Sequence, residues 1–277
     1  MQNWPQGDVA TADASLHYYR SGGDLPPLVL VHGFTDHALY FTRVAETLTQ
    51  RWDVIAYDQR GHGQSSRAQG RFDTALLADD LAAVAEALAL DRPAVVGHSL
   101  GGAVITLALT TSLATRCRGA VLEDPFWLEL PDAVAARYRD ARAQHVDGWR
   151  AWVTELQRMP RAEALALRHA DEPTWSAIDV ETCLDGRLMF QLDLFDQFPS
   201  DAAPWRDPVR QFDVPVQLLT GSDTSRGTVV SSADALEATT LNSQLQWREI
   251  DGAGHHIKYD RFNEYVASVT SFLNALV

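Results

Sequence analysis

The pentapeptide Gly97-His98-Ser99-Leu100-Gly101 constrains this chain more than any other segment. It separates Ala94-Val-Val-Gly97, which reads as a buried strand, from an apolar-periodic stretch, Leu100 to about Thr115, which reads as a helix. A serine at so sharp a strand-to-helix turn stands proud of the sheet on a strained backbone. Glycines flank it because a side chain there would collide with the neighbouring strand and helix. The helix N-terminus also aims N–H groups at negative charge that develops beside the serine. G-x-S-x-G alone is moderately specific, and a glycine-rich turn is the bland alternative. The strand before it and the helix after it turn the motif into a nucleophile hypothesis.

The surrounding chain keeps the same rhythm. Leu28-Val-Leu-Val31 reads as a strand ending in His32-Gly33-Phe34, and a helical face follows at Tyr40, Phe41, Val44 and Leu48, with Asp36 as its N-cap. Asp53–Tyr57 is a strand. Leu77, Leu81, Val84 and Leu88 mark a helix lying on a sheet, and Gly119–Glu123 is the next strand. Strands alternating with helices imply an α/β fold, a mostly parallel doubly wound sheet with helices on both faces. Val9–Arg20 fits an antiparallel hairpin at the sheet edge, turning near Asp13-Ala14.

The rhythm stops after Pro125. Helical segments over 132–145, 147–158, 161–169 and 174–195, punctuated by Gly148, Pro160 and Pro173, replace the strands. It resumes with Val214–Leu219, Leu245–Ile250 and a final helix bearing Phe262, Tyr265, Val266, Val269, Phe272, Leu273 and Leu276 on one face. The economical organisation is one core, 1–125 with 206–277, and an inserted helical cap over 126–205.

Bulk properties exclude several function classes. A net charge of −14 over 277 residues argues against nucleic acid or an anionic membrane as partner, and equally reads as a solubility feature. Cys117 and Cys183 form no CxxC pattern and suit a reducing compartment. With no signal-like N-terminus and no apolar run of membrane-spanning length, a soluble cytoplasmic monomer or homodimer is expected. No metal-ligand spacing, P-loop or dinucleotide fingerprint occurs, so no cofactor and no metal are expected.

Taken with Gly97–Gly101, three further segments make the chain resemble the α/β-hydrolase fold family, in its serine esterase and lactonase-like branch with a helical cap. His32-Gly33-Phe34 resembles that family's oxyanion turn. Asp58-Gln-Arg-Gly-His-Gly-Gln-Ser65 resembles its D-x-R-G-x-G-x-S segment, and Gly252-Ala-Gly-His255 resembles its catalytic-histidine loop. The resemblance implies Ser99 as nucleophile and His255, rather than His256, as general base. It also implies an oxyanion hole made by the N–H groups of Phe34 and Leu100. His32 and His98 read as turn braces, His62 as packing in its loop, and His37 as a residue within reach of substrate.

The acid stays open among three carboxylates. The usual family position follows Val214–Leu219, but Gly221-Ser-Asp223-Thr-Ser-Arg-Gly227 departs from the common pattern. Glu123-Asp124-Pro125 ends the strand after the nucleophile helix, where dehalogenase-like and some lactonase-like branches place the acid. Asp124 is preferred there, with Asp223 and Glu123 as rivals. Trp127, Trp149, Trp152 and Trp175 of the insertion are read partly as packing and partly as pocket lining. Together these residues point to cofactor-free hydrolysis of a small apolar acyl ester or lactone through an acyl-enzyme. The alternatives are a carbon–carbon bond hydrolase or perhydrolase with the same triad, and a non-catalytic small-molecule-binding protein on a hydrolase scaffold.

Overall fold

The computed structural model describes residues 1, 3–129, 132–198 and 204–277, with backbone alone for 132–142. Among the described residues, eight strands form one sheet: β1 Gln6–Ala10, β2 Ser15–Arg20, β3 Pro27–Val31, β4 Asp53–Tyr57, β5 Ala94–His98, β6 Gly119–Glu123, β7 Val216–Gly221 and β8 Leu245–Ile250. Their order is β1-β2-β4-β3-β5-β6-β7-β8. The β1–β2 and β2–β4 pairs are antiparallel and every later pair is parallel.

The helices are α1 Thr42–Leu48, α2 Thr74–Ala87, α3 Leu100–Ala108, α4 Asp132–Arg158, α5 Arg161–Asp171, α6 Ala177–Met189, α7 Arg206–Arg210, α8 Ser232–Leu241, α9 Ile257–Asp260 and α10 Phe262–Asn274. Both faces of the central strands are covered, which is why their sequences are continuous apolar runs rather than alternating ones. Val29 and Val31 point into the layer of Leu77, Leu81 and Val104 from α2 and α3. Leu28 and Leu30, on the opposite face, pack with Val44 and Leu48 of α1 and Tyr265, Val269 and Leu273 of α10.

The structure departs from the sequence reading in five places. Asp36 caps no helix: a 3-10 turn, Ala38–Phe41, opens there with no side-chain cap at His37. The buried Asp36 carboxylate instead faces His98 Nδ1 at 3.5 Å and Arg187 Nη1 at 3.4 Å. Gly148 does not break α4, which runs 27 residues through it; a helical glycine costs only about 1 kcal/mol, too little to end so long a helix. The 174–195 segment splits into α6, capped by Ser176, and a 3-10 turn over Leu192–Gln197. β7 begins at Val216 because Pro215 offers no N–H to a central ladder. α3 ends at Ala108, where the hydroxyls of Thr110 and Thr111 bond the Leu107 carbonyl in competition with the helix backbone.

Between β6 and β7, α6 lies directly on the turn after β3. A Cβ on Gly186 would come within 2.9 Å of Asp36 Cα and the Thr35 carbonyl. Arg43 pairs with Asp179 at 2.5 Å, which fastens α6 to α1. Cys117 and Cys183 are buried free thiols; burial pushes Cys117 up to about 12. Among the described residues, no helix is long and apolar enough to cross a membrane.

Candidate active site

Ser99 is the single residue between β5 and α3, with φ 51° and ψ −115°. That left-handed backbone costs a non-glycine residue roughly 1–3 kcal/mol and persists only when the surroundings over-determine it. Here they do. Ser99 N–H donates to the Glu123 carbonyl at 3.0 Å, and the Ser99 carbonyl accepts from Phe126 at 2.9 Å and Ala103 at 3.1 Å. A Cβ on Gly97 would lie 2.6 Å from the Gly101 backbone, and one on Gly101 only 2.1 Å from the Val31 carbonyl. The two glycines therefore let β3, β5 and α3 close around the serine. Leu100 opens α3, where helix geometry leaves its N–H without an intrahelical acceptor. Phe34 stands just beyond the end of β3, its carbonyl accepting from His62 Nε2.

His255 sits in the loop between β8 and α9, its N–H donating to the Arg226 carbonyl at 3.2 Å. Its Nδ1 lies 2.6 Å from Asp124 Oδ2. A carboxylate acceptor at that distance puts the ring proton on Nδ1 and the lone pair on Nε2. Asp124 has no exposed side-chain surface, whereas the His255 side chain keeps 19%. The Asp124 oxygens also accept from Val229 N–H at 2.9 Å and Val230 N–H at 3.0 Å, so the carboxylate is fixed from three sides. Asp124 itself holds φ 38°.

The other two carboxylates are committed elsewhere. Asp223 braces its own 3-10 turn, accepting from the Ser225 N–H and hydroxyl at 3.1 and 2.6 Å. Glu123 pairs with Lys258 at 3.1 Å, both side chains wholly buried. His256 Nδ1 meets the Tyr40 hydroxyl at 2.7 Å rather than a carboxylate. Burial, reinforced by His98 and His255, holds His256 well below 6.5, so it is neutral. His98 is likewise lowered, by burial and then by Lys258 and His255. It braces the histidine loop: its Nε2 donates to the His255 carbonyl at 3.1 Å, and the two rings lie 4.6 Å apart. His32 accepts the Gln59 N–H at 2.9 Å, and His62 packs between Phe72 and Phe190.

The aromatic residues divide. Phe34 is ringed by Trp149, Phe190, Phe195 and Phe198, with centroids at 5.5, 4.9, 5.2 and 4.2 Å. Trp127 instead stacks on Trp205 at 4.8 Å and donates to the Thr106 hydroxyl at 2.9 Å. Trp152 lies 5.2 and 5.5 Å from the guanidinium groups of Arg168 and Arg187. Trp175 packs on Tyr259 and donates to Asp260 at 2.8 Å. Of the four tryptophans read as pocket lining, Trp149 is thus the one with a described contact to the Phe34 ring. His37 is buried, its Nε2 donating to the Thr182 carbonyl of α6 at 3.0 Å.

The sequence reading missed Asp260. Its carboxylate accepts from Gly254 N–H at 2.8 Å, Trp175 Nε1 at 2.8 Å and Arg226 at 2.6 Å, so it pins the histidine loop. An aspartate in a helix turn five residues after His255 carries no signal that separates it from a surface charge.

Residues 26–262 match the family described as alpha/beta hydrolase fold. N-formylmaleamate deformylase of Pseudomonas putida is 29% identical, over 97% of this chain and 96% of that protein. 2-(Acetamidomethylene)succinate hydrolase of Mesorhizobium japonicum is 28% identical, over 92% and 91%. Among solved structures, the esterase RhEst1 from Rhodococcus sp. ECU1013 superposes with a TM-score of 0.75 at 23% identity, covering 98% of each chain.

Proposed function

The chain belongs to the alpha/beta hydrolase fold family, and from that premise we propose that it is a serine hydrolase cleaving a carboxylic ester or lactone through an acyl-enzyme on Ser99. The observation that carries this reading is the 2.6 Å contact from His255 Nδ1 to the buried Asp124. It holds the imidazole in the tautomer whose Nε2 can accept the Ser99 hydroxyl proton. As Ser99 Oγ attacks the carbonyl carbon, His255 becomes imidazolium beside Asp124. The N–H groups of Phe34 and Leu100 receive the oxyanion, and the imidazolium then returns its proton to the leaving alkoxide. Water repeats the sequence on the acyl-enzyme. In this reading 126–205 is a cap, and the rings around Phe34 favour an apolar acyl group over a charged one.

A second reading, hydrolysis of an acyl C–N bond by the same groups, is favoured by one observation. A relative 29% identical over 97% of this chain is named a deformylase. Purified protein assayed on p-nitrophenyl esters, lactones and N-formyl and N-acyl amides, beside Ser99→Ala, separates the two. Turnover of esters or lactones, lost in Ser99→Ala, is expected. Turnover of amides alone replaces the first reading with the second, and turnover of neither class removes both.

A further inference from the structure

Glu123 and Lys258 form an ion pair with no side-chain exposure at either end, and neither enters the chemistry above. The carboxylate takes two bonds from one residue, from Lys258 N–H at 3.1 Å and from Nζ at 3.1 Å. The ammonium also lies 3.4 Å from the Tyr40 ring centroid and 4.7 Å from that of Phe41. Burial lowers the lysine from 10.5, and Glu123 opposes that. Ion pairs so far from water add little stability over apolar residues of similar volume, so stability is a weak reason for this one.

Its position supplies a stronger reason. Glu123 ends β6 immediately before Asp124, and its carbonyl receives the Ser99 N–H at 3.0 Å. Lys258 lies in α9, three residues beyond His255. The loop before His255 bends at Gly252, φ 65°, and its described bonds run to Ser222, Asp223, Arg226 and Asp260 rather than to β6. We propose that the Glu123–Lys258 pair is a positioning device, clamping the helix that follows His255 onto the strand end that carries Asp124 and buttresses Ser99. The proposal rests on the hydrolase reading above. Beside the ties from Asp260 and His98, this ion pair then holds the reach of the imidazole relative to both partners, and a displacement of about 1 Å there is worth on the order of 10²-fold in rate.

The test compares Glu123→Gln, Lys258→Met and the double variant with wild type, in kcat, KM and thermal midpoint on the best ester found. Each single change strands a buried partner, so Tm should fall by roughly 10 °C, and the double change should recover most of it. If the pair positions His255, kcat of the folded double variant stays down by about 10- to 100-fold while KM moves by less than about threefold. Recovery of kcat together with Tm overturns the proposal. Glu123→Gln keeps the shape and the acceptor for Lys258 N–H, so it decides the question even where the double variant fails to fold. Assayed well below its Tm, wild-type kcat in it overturns the proposal, and a lowered kcat with unchanged KM sustains it. Ser99→Ala, run alongside, separates the two levels: activity there removes the hydrolase reading itself, while an inactive Ser99→Ala beside a fully active double variant removes the clamp alone.

Discussion

His255 Nδ1 lies 2.6 Å from Asp124 Oδ2, a carboxylate whose two oxygens also hold the N–H groups of Val229 and Val230. Two backbone N–H groups therefore hold this carboxylate in addition to the imidazole.

Asp124→Asn tests that relationship. Asparagine tolerates the positive φ at this position, so the chain should still fold. An amide cannot accept at both oxygens, and the buried N–H left over costs about 1–3 kcal/mol. Turnover should drop by ~10²–10⁴-fold in the folded variant, measured as kcat with circular dichroism and melts alongside. Asp223→Asn, which touches only the Ser225 turn, should leave kcat within about threefold and lose on the order of 1 kcal/mol.

The aromatic residues give a second contrast. Trp149 lies against Phe34, so Trp149→Ala should change the ratio of rates on bulky and short esters by about tenfold or more. Trp127 stacks on Trp205 and donates to Thr106, so Trp127→Ala should cost ~3–5 kcal/mol in denaturant melts and leave that ratio unchanged.

The buried His32, His62 and His98 and the partly exposed His256 are all held below 6.5, with desolvation the leading cause in each. The unfolded chain therefore binds more protons than the folded one once pH falls below about 6.5. Each group contributes stability that is present above 6.5 and is lost as pH falls, by up to ~1.4 kcal/mol per pH unit while it stays neutral in the fold. Tm should decline steeply between pH 7.5 and 5.5; a flat or rising Tm across that range would contradict the assignment of these rings as neutral.

Much of this architecture is written locally. β3 to β6 are legible as apolar runs because helices cover both faces of the sheet, and the Ser99 turn is legible because Gly97 and Gly101 admit no Cβ. His255 is legible from the glycines before it. The partners of the carboxylates are not. Aspartate suits turns and caps everywhere, so Asp36 reads as a cap although its partner Arg187 is 151 residues away. Asp124 and Asp223 look alike until the fold brings one to His255 and leaves the other in its own turn. The insertion tryptophans share one apolar signature, and only packing divides Trp149 from Trp127, Trp152 and Trp175.

Covalent labelling tests Ser99 as the nucleophile. Protein treated with a fluorophosphonate should gain the mass of one adduct, mapped by peptide sequencing to Ser99. Labelling and ester turnover should both vanish in Ser99→Ala, with turnover falling by ~10⁴-fold or more. An adduct on another residue, or wild-type turnover in Ser99→Ala, would contradict the assignment.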